Sequence, residues 1–192
     1  MVQEDRYKFH SIHYLKSGNK RQQQAYGAIT KLGIMADLQM YNPILCGTIP
    51  IGIDISTSDL DIVMEVYDFT EYELQVRKLY SEKKGFALQR KEIRGVPVIK
   101  ANFVFADFEF ELFAQPQPVE QQNAYLHMLI EHVLLEGNPA MREEVIKLKQ
   151  QGIKTEPAFA QLLHLKGDPY EALLSIAKEN ICYRLFDHER KG

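Results

Sequence analysis

The stretch that decides the fold is Cys46-Gly-Thr-Ile-Pro-Ile-Gly-Ile-Asp-Ile-Ser-Thr-Ser-Asp-Leu-Asp-Ile-Val63. An apolar strand runs into a Gly47-Thr48 turn, and a second apolar strand follows the acidic pair. Side chains two apart on a strand point to one face, so Asp59 and Asp61 present their carboxylates side by side. Adjacent carboxylates repel unless a cation lies between them, and Mg²⁺ prefers such oxygen ligands.

The turn strengthens this interpretation. A chain of 192 residues with 26 acids contains several acid-x-acid pairs by chance, so the pair alone is a weak signal. The Gly47-Thr48 turn begins twelve residues before Asp59. A glycine amide and a hydroxyl group at such a turn can hold a phosphate beside a metal ion. The stretch therefore predicts a metal-dependent phosphate site.

Composition limits the partners. The net charge is −3 and the pI is about 6.1, whereas proteins that grip nucleic acid through its phosphates carry a basic excess. A long nucleic acid is therefore not expected, but a small phosphate ester bound through a metal ion is compatible with this charge.

The remaining composition predicts a cytoplasmic protein. Cys46 and Cys182 form neither a disulfide scaffold nor a four-ligand zinc site, which is typical of a reducing compartment. Acids occupy the N-terminus where a signal peptide has basic residues. No apolar run approaches the ~18 residues that cross a bilayer, so no membrane contact is expected.

Hydrophobic periodicity predicts a mixed α/β core at 1–118 and a helical C-terminal part at 119–192 that packs against it. A helix is expected at 19–40 behind an Asn19 cap, and another from a Thr70–Glu73 capping box to Gly85. Strands are expected at 44–46, 60–66, 86–93, 96–105 and 108–113, the last three as an antiparallel meander. Later helices are expected at about 119–135 and 140–150, from Pro157, and from Pro169 behind Asp168.

The chain resembles a known superfamily in its order of apolar strand, Gly-Thr turn, Gly52, Ser58-Asp59-x-Asp61 and apolar strand. This pattern is similar to the signature of the DNA polymerase beta-like nucleotidyltransferases. The Gly-Thr-Ile-Pro-Ile-Gly form is similar to the small bacterial GrpB-type branch, and the whole chain resembles an uncharacterised bacterial family of that superfamily. The resemblance implies a nucleotidyltransferase-fold mixed sheet flanked by helices.

The resemblance also implies roles for individual residues. Gly47, Thr48 and Ser58 would bind the nucleotide phosphates. Asp59 and Asp61 would hold Mg²⁺ or Mn²⁺.

A third acid on a later strand would share one metal ion. Asp107, Glu109 and Glu111 share one face of the strand in 106–113. Asp107 lies at the expected turn, which leaves Glu109 or Glu111, and the sequence does not choose between them. The chain departs from the superfamily signature in three ways. The third acid is a glutamate, Thr48 replaces serine, and 49–51 contains no basic residue.

Further polar residues are candidates for substrate contact. His127 and Glu131 lie one helical turn apart and can face one cleft, with an ion pair on a solvated face as the alternative. His127 and His132 are five residues apart and point about 140° from each other, which excludes a zinc-peptidase motif. Lys100, among the basic residues of the meander, could neutralise a triphosphate or belong to a solvated strand face.

The sequence thus predicts a Mg²⁺-dependent nucleotidyltransferase that moves a nucleoside monophosphate from NTP to a hydroxyl of a small molecule or protein. The alternative is a non-catalytic or partner-dependent nucleotide-binding module of the same fold. A metal-dependent phosphohydrolase is a further possibility. The acceptor, the nucleotide and the oligomeric state stay open.

Overall fold

A computed structural model describes residues 8–176, so Cys182 and the end of the C-terminal part lie outside the described residues. The described strands form one five-stranded sheet in the order β1-β2-β5-β4-β3. The strands are β1 Ile44–Cys46, β2 Leu60–Glu65, β3 Lys84–Ile93, β4 Val96–Phe105 and β5 Phe108–Gln115. The helices are α1 Lys20–Leu32, α2 Ile34–Asp37, α3 Phe69–Tyr80, α4 Asn123–Gly137, α5 Met141–Gln150, α6 Thr155–Leu162 and α7 Pro169–Ile176.

The sheet is mixed. Strands β3, β4 and β5 form the predicted antiparallel meander, and β1 pairs antiparallel with β2. Strand β5 then pairs in parallel with β2, which places Asp61 opposite Glu111. This parallel pairing, which local sequence patterns did not predict, joins the acidic pair to the end of the meander.

The first predicted helix is shorter than expected. Asn19 caps α1, and the Gln22 side chain closes a reciprocal capping box with it. The helix ends at Gly33, whose φ of +79° is a left-handed conformation that favours glycine. The short helix α2 and a 3₁₀ turn at Gln39–Tyr41 replace the continuous helix predicted to residue 40.

The predicted Thr70–Glu73 capping box is wrong. Asp68 caps α3 instead, accepting hydrogen bonds from the Thr70 and Glu71 amides at 2.9 and 3.0 Å. Glu73 forms ion pairs with two arginines, Arg77 and Arg90, both at 2.9 Å. Asp68 and Thr70 can both cap a helix and lie within one turn of each other, and the helix begins after Asp68.

The helical part begins with a 3₁₀ turn at Val119–Gln121, followed by α4. Helix α6 starts at Thr155, two residues before the predicted Pro157, so the proline occupies its first turn. Asp168 caps α7 as predicted, accepting from the Tyr170 amide at 2.8 Å. No helix within residues 8–176 is long and apolar enough to span a bilayer.

Two apolar clusters cover the two faces of the sheet. Alternation along β2 and β5 sends Ile62, Phe110 and Leu112 to the face covered by α1 and α3. Val63 and Phe113 point to the other face, where helices α4 to α7 pack. Asp61 and Glu111 alternate along their strands with Ile62, Phe110 and Leu112, so their side chains point toward the helical part.

Core packing predicts a large stability cost for Phe110→Ala. Phe110 is fully buried and stacks on Phe103 with ring centroids 5.2 Å apart. The free energy of unfolding measured by urea denaturation is expected to fall by about 3–5 kcal/mol. The control Leu74→Ala, at a side chain 66% exposed on α3, is expected to stay within about 0.5 kcal/mol. Equal effects would contradict this core.

Candidate metal and nucleotide site

Three carboxylates meet on the sheet face that points toward the helical part. Asp61 on β2 lies opposite Glu111 on β5, and Asp59 lies two residues before Asp61 on the same side. One carboxylate oxygen from each lies within 4.8 Å of the others. Three half-buried oxygen donors at this spacing suit a divalent cation such as Mg²⁺.

The electrostatics of these carboxylates fit a cation. Burial raises the pKa of Asp61 well above its ordinary value, and the charges of Asp59 and Glu111 raise it further. Burial likewise raises the pKa of Asp59, with the glutamates of β5 adding to the effect. The Lys100 ammonium lowers both pKa values but does not offset the other causes. A divalent cation here would relieve this repulsion and favour the ionised forms.

The turn before the acids approaches them closely. Gly47 has a φ of +78°, and a Cβ built on it would overlap Asp61 Oδ2 and lie 3.2 Å from Asp61 Cγ. The Thr48 hydroxyl donates to Ser58 Oγ at 3.2 Å, and Ser58 Oγ also accepts from the Ile55 amide at 3.0 Å. Gly47 thus lets the turn reach the carboxylate, and Ser58 closes the loop that follows.

The loop at 49–53 is held by side chains from other elements. Its carbonyl oxygens accept hydrogen bonds from Gln22 of α1, Arg142 of α5 and Lys149 of α5. The individual bonds are Gln22 Nε2 to Ile49 O at 2.9 Å, Gln22 Nε2 to Pro50 O at 3.1 Å, Arg142 Nη1 to Gly52 O at 3.1 Å, Arg142 Nη1 to Ile51 O, and Lys149 Nζ to Ile53 O at 2.9 Å. The loop is therefore fixed to both halves of the molecule.

A cavity of about 1080 Å³ opens between the sheet and the helices. Its floor carries the acids together with Phe113 and Gln115 of β5. The Gly47-Thr48 turn and Ser58 line one end. Its roof includes His127, Met128, Glu131, Lys149, Lys154, Glu156 and Tyr170.

The roof holds buried ionisable side chains. Glu131 is 3% exposed, and burial raises its pKa well above its ordinary value, with the Glu156 charge adding to this and Lys149 opposing it. Burial lowers the pKa of Lys149. His127 Nε2 lies 3.0 Å from the Tyr170 carbonyl oxygen, which can only accept, so Nε2 carries the proton. His127 Nδ1 lies 3.7 Å from Glu156 Oε1.

Of the predicted site residues, most line this cavity and two do not. Glu109 is exposed, its Oε1 accepts from Asn102 Nδ2 at 3.3 Å, and its carboxylate is not part of the three-acid group. Lys100 Nζ lies 2.5 Å from Glu111 Oε2 and is not among the residues that line the cavity. Of the two glutamates, Glu111 is therefore the one that lies beside Asp59 and Asp61, and Lys100 forms an ion pair with it.

Basic residues reach the site from the helical part of the chain. The segment 49–51 has none, but Lys149 and Lys154 line the cavity from the helical part. The buried residues of α5 are spaced four apart: Met141, Val145 and Lys149. A lysine at a position where this spacing predicts an apolar residue could have indicated that its side chain faces the interior.

Comparison with known proteins identifies a family. Residues 27–176, most of the chain, match the model described as domain of unknown function (DUF4269). The chain belongs to the DUF4269 family. No curated protein sequence matches this DUF4269 chain at a significant level.

A solved structure supports this fold, and a second is similar to a lesser degree. A Cid1 poly(U) polymerase bound to MgATP is similar with a TM-score of 0.50 at 14% identity, over 80% of this DUF4269 chain and 48% of that chain. The polymerase core of TRAMP, an RNA surveillance complex, gives 0.47 at 13%, over 81% and 48%. The chain spans about half the length of these structures. Its mixed five-stranded sheet with flanking helices is the nucleotidyltransferase fold.

Close approach of the turn predicts a specific effect of Gly47→Ala. Alanine at a positive φ costs about 1–2 kcal/mol, and the new methyl group would also displace Asp61. We expect Mn²⁺ to raise the melting temperature of the wild type and Gly47→Ala to abolish that rise. Gly95→Ala is the matched control, because Gly95 has a φ of +77° and no atom near its Cβ position. An unchanged Mn²⁺ effect in Gly47→Ala would contradict this geometry.

Burial of Glu131 predicts a pH-dependent penalty. The raised pKa means that ionising Glu131 destabilises the fold, progressively as pH rises from the ordinary glutamate pKa through the folded-state value. Glu131→Gln should therefore melt higher than wild type at about pH 8, with the difference vanishing near about pH 4. The exposed Glu136→Gln on the same helix should show neither effect. A pH-independent difference for Glu131→Gln would refute this assignment.

Proposed function

We propose that this protein is a metal-dependent nucleotidyltransferase that moves a nucleoside monophosphate from NTP to a hydroxyl group of a small molecule or protein. The observation that carries the proposal is the group formed by Asp59, Asp61 and Glu111 beside the Gly47-Thr48 turn. The nucleotidyltransferase fold of the sheet supports it.

The chemistry follows from the donor set. The acceptor oxygen would form a bond to the α-phosphorus while the bond from that phosphorus to pyrophosphate breaks, and the hydroxyl would pass its proton to a carboxylate of the three-acid group. The three carboxylates would hold Mg²⁺ or Mn²⁺, which would supply positive charge to offset that of the phosphates. The Gly47-Thr48 turn would position the phosphates, and Lys149 and Lys154 would supply further positive charge from the roof.

The size of the cavity is that of a small-molecule site. Sites for a single drug-sized ligand enclose roughly 300–1,000 Å³, and this cavity measures about 1080 Å³. Its walls belong to both the sheet and the helices, so the acceptor would approach the metal-bound phosphate from within the molecule. A small-molecule acceptor fits this arrangement better than a polymer.

The third acid provides the sharpest test. Glu111→Gln should weaken Mn²⁺-dependent ATP binding by more than about 10–100-fold, since even outer-shell residues contribute that much to metal affinity. Glu109→Gln is the matched control, because Glu109 lies on the same strand but outside the three-acid group. Isothermal titration with ATP and with the other NTPs, each with and without Mn²⁺, gives both affinities.

Three outcomes separate the candidate functions. Equal loss in Glu109→Gln and Glu111→Gln, or NTP binding that ignores Mn²⁺, would refute the proposal. Tight Mn²⁺-dependent binding without pyrophosphate release in the presence of candidate acceptors would favour a non-catalytic or partner-dependent nucleotide-binding module. Release of phosphate without a nucleotidylated product would favour a phosphohydrolase.

A further inference from the structure

Glu131 is a buried carboxylate that lines the cavity without a partner. It is 3% exposed and belongs to the wall formed by α4. No hydrogen bond or ion pair reaches its carboxylate from any residue within 8–176. Burial disfavours the ionised form of this carboxyl group, and a cation bound beside it would favour the ionised form again.

The lysine that acts electrostatically on Glu131 is hydrogen-bonded to a backbone carbonyl group. Lys149 acts on it through space, but Lys149 Nζ donates to the Ile53 carbonyl oxygen at 2.9 Å. His127 contacts the Tyr170 carbonyl oxygen and Glu156. Glu156, from α6, is half-buried and adds a second negative charge next to Glu131. The roof therefore presents two carboxylates, the hydrogen-bonded Lys149 and the exposed Lys154.

The geometry favours an ammonium group over a metal ion as their ligand. Within the described residues, the three acids of the floor are the group whose ligand atoms lie close enough to share a metal ion, and Glu131 and Glu156 do not form such a group. A primary ammonium has three donors that can diverge toward separated carboxylates. Its hydrogen bonds to carboxylates are charge-assisted and therefore strong.

We propose that Glu131 and Glu156 bind a protonated amine of the acceptor, so that the acceptor is an amino alcohol. This inference rests on the proposed function: the amine binds the roof while the hydroxyl faces the metal-bound phosphate at the floor.

The test uses amines paired with neutral counterparts that differ in the amino group. Glucosamine is compared with glucose, and ethanolamine with ethylene glycol, by titration without nucleotide or metal. In the wild type the amines should bind more tightly than their counterparts. Glu131→Gln and Glu156→Gln should each weaken the amines by about 10–100-fold, the effect of losing one charged hydrogen bond. Glu136→Gln, at an exposed site of α4, should leave them unchanged.

The outcomes distinguish this inference from the proposed function. Equal binding of amines and neutral counterparts in the wild type, or amine binding that survives Glu131→Gln, would overturn it while leaving Mn²⁺-dependent NTP binding untouched. Mn²⁺ binding that is lost in Glu131→Gln but kept in Glu111→Gln would place the metal ion at the roof and overturn both assignments. Because the glutamine is isosteric and removes a buried charge, the variant should stay folded, which its melting temperature checks.

Discussion

The parallel pairing of β2 with β5 is the constraint on which the site depends. Its register sets Asp61 opposite Glu111, and strand alternation brings Asp59 to the same side. Three carboxylates are thereby forced together in a half-buried position, where burial and mutual repulsion raise the pKa values of both aspartates. A shift of the register by one residue would turn Glu111 into the apolar core and disperse the group.

The two faces of the sheet have different tasks. One face packs against α1 and α3 as an apolar core. The other face carries the acids and borders a cavity beneath the helical part. The floor of this cavity holds oxygen donors suited to a cation, and its roof holds ionisable side chains of α4, α5 and α6. Charged groups are costly away from water, and in this protein several of them lie around one cavity.

Local sequence patterns predicted most of the strands and helices. They did not predict contacts between segments that are distant in the sequence. The meander and the Asp59–Asp61 face follow from alternation over a few residues. The choice between Glu109 and Glu111 depended on the register between strands fifty residues apart, which no local pattern encodes. The N-cap of α3 was predicted at Thr70 but is Asp68, because both residues can cap a helix and lie two positions apart. Lys149 could have been recognised by its core position in α5.

The loop at 49–53 has a consequence for how the chain can be divided. Its carbonyl oxygens are held from one side by Gln22 and from the other by Arg142 and Lys149. A fragment that ends at residue 118 would leave the Ile51, Gly52 and Ile53 carbonyls without these donors, in a loop whose isoleucines are otherwise buried. The two halves are thus complementary parts of one folding unit, and the turn that approaches Asp61 takes its shape from residues ninety positions downstream.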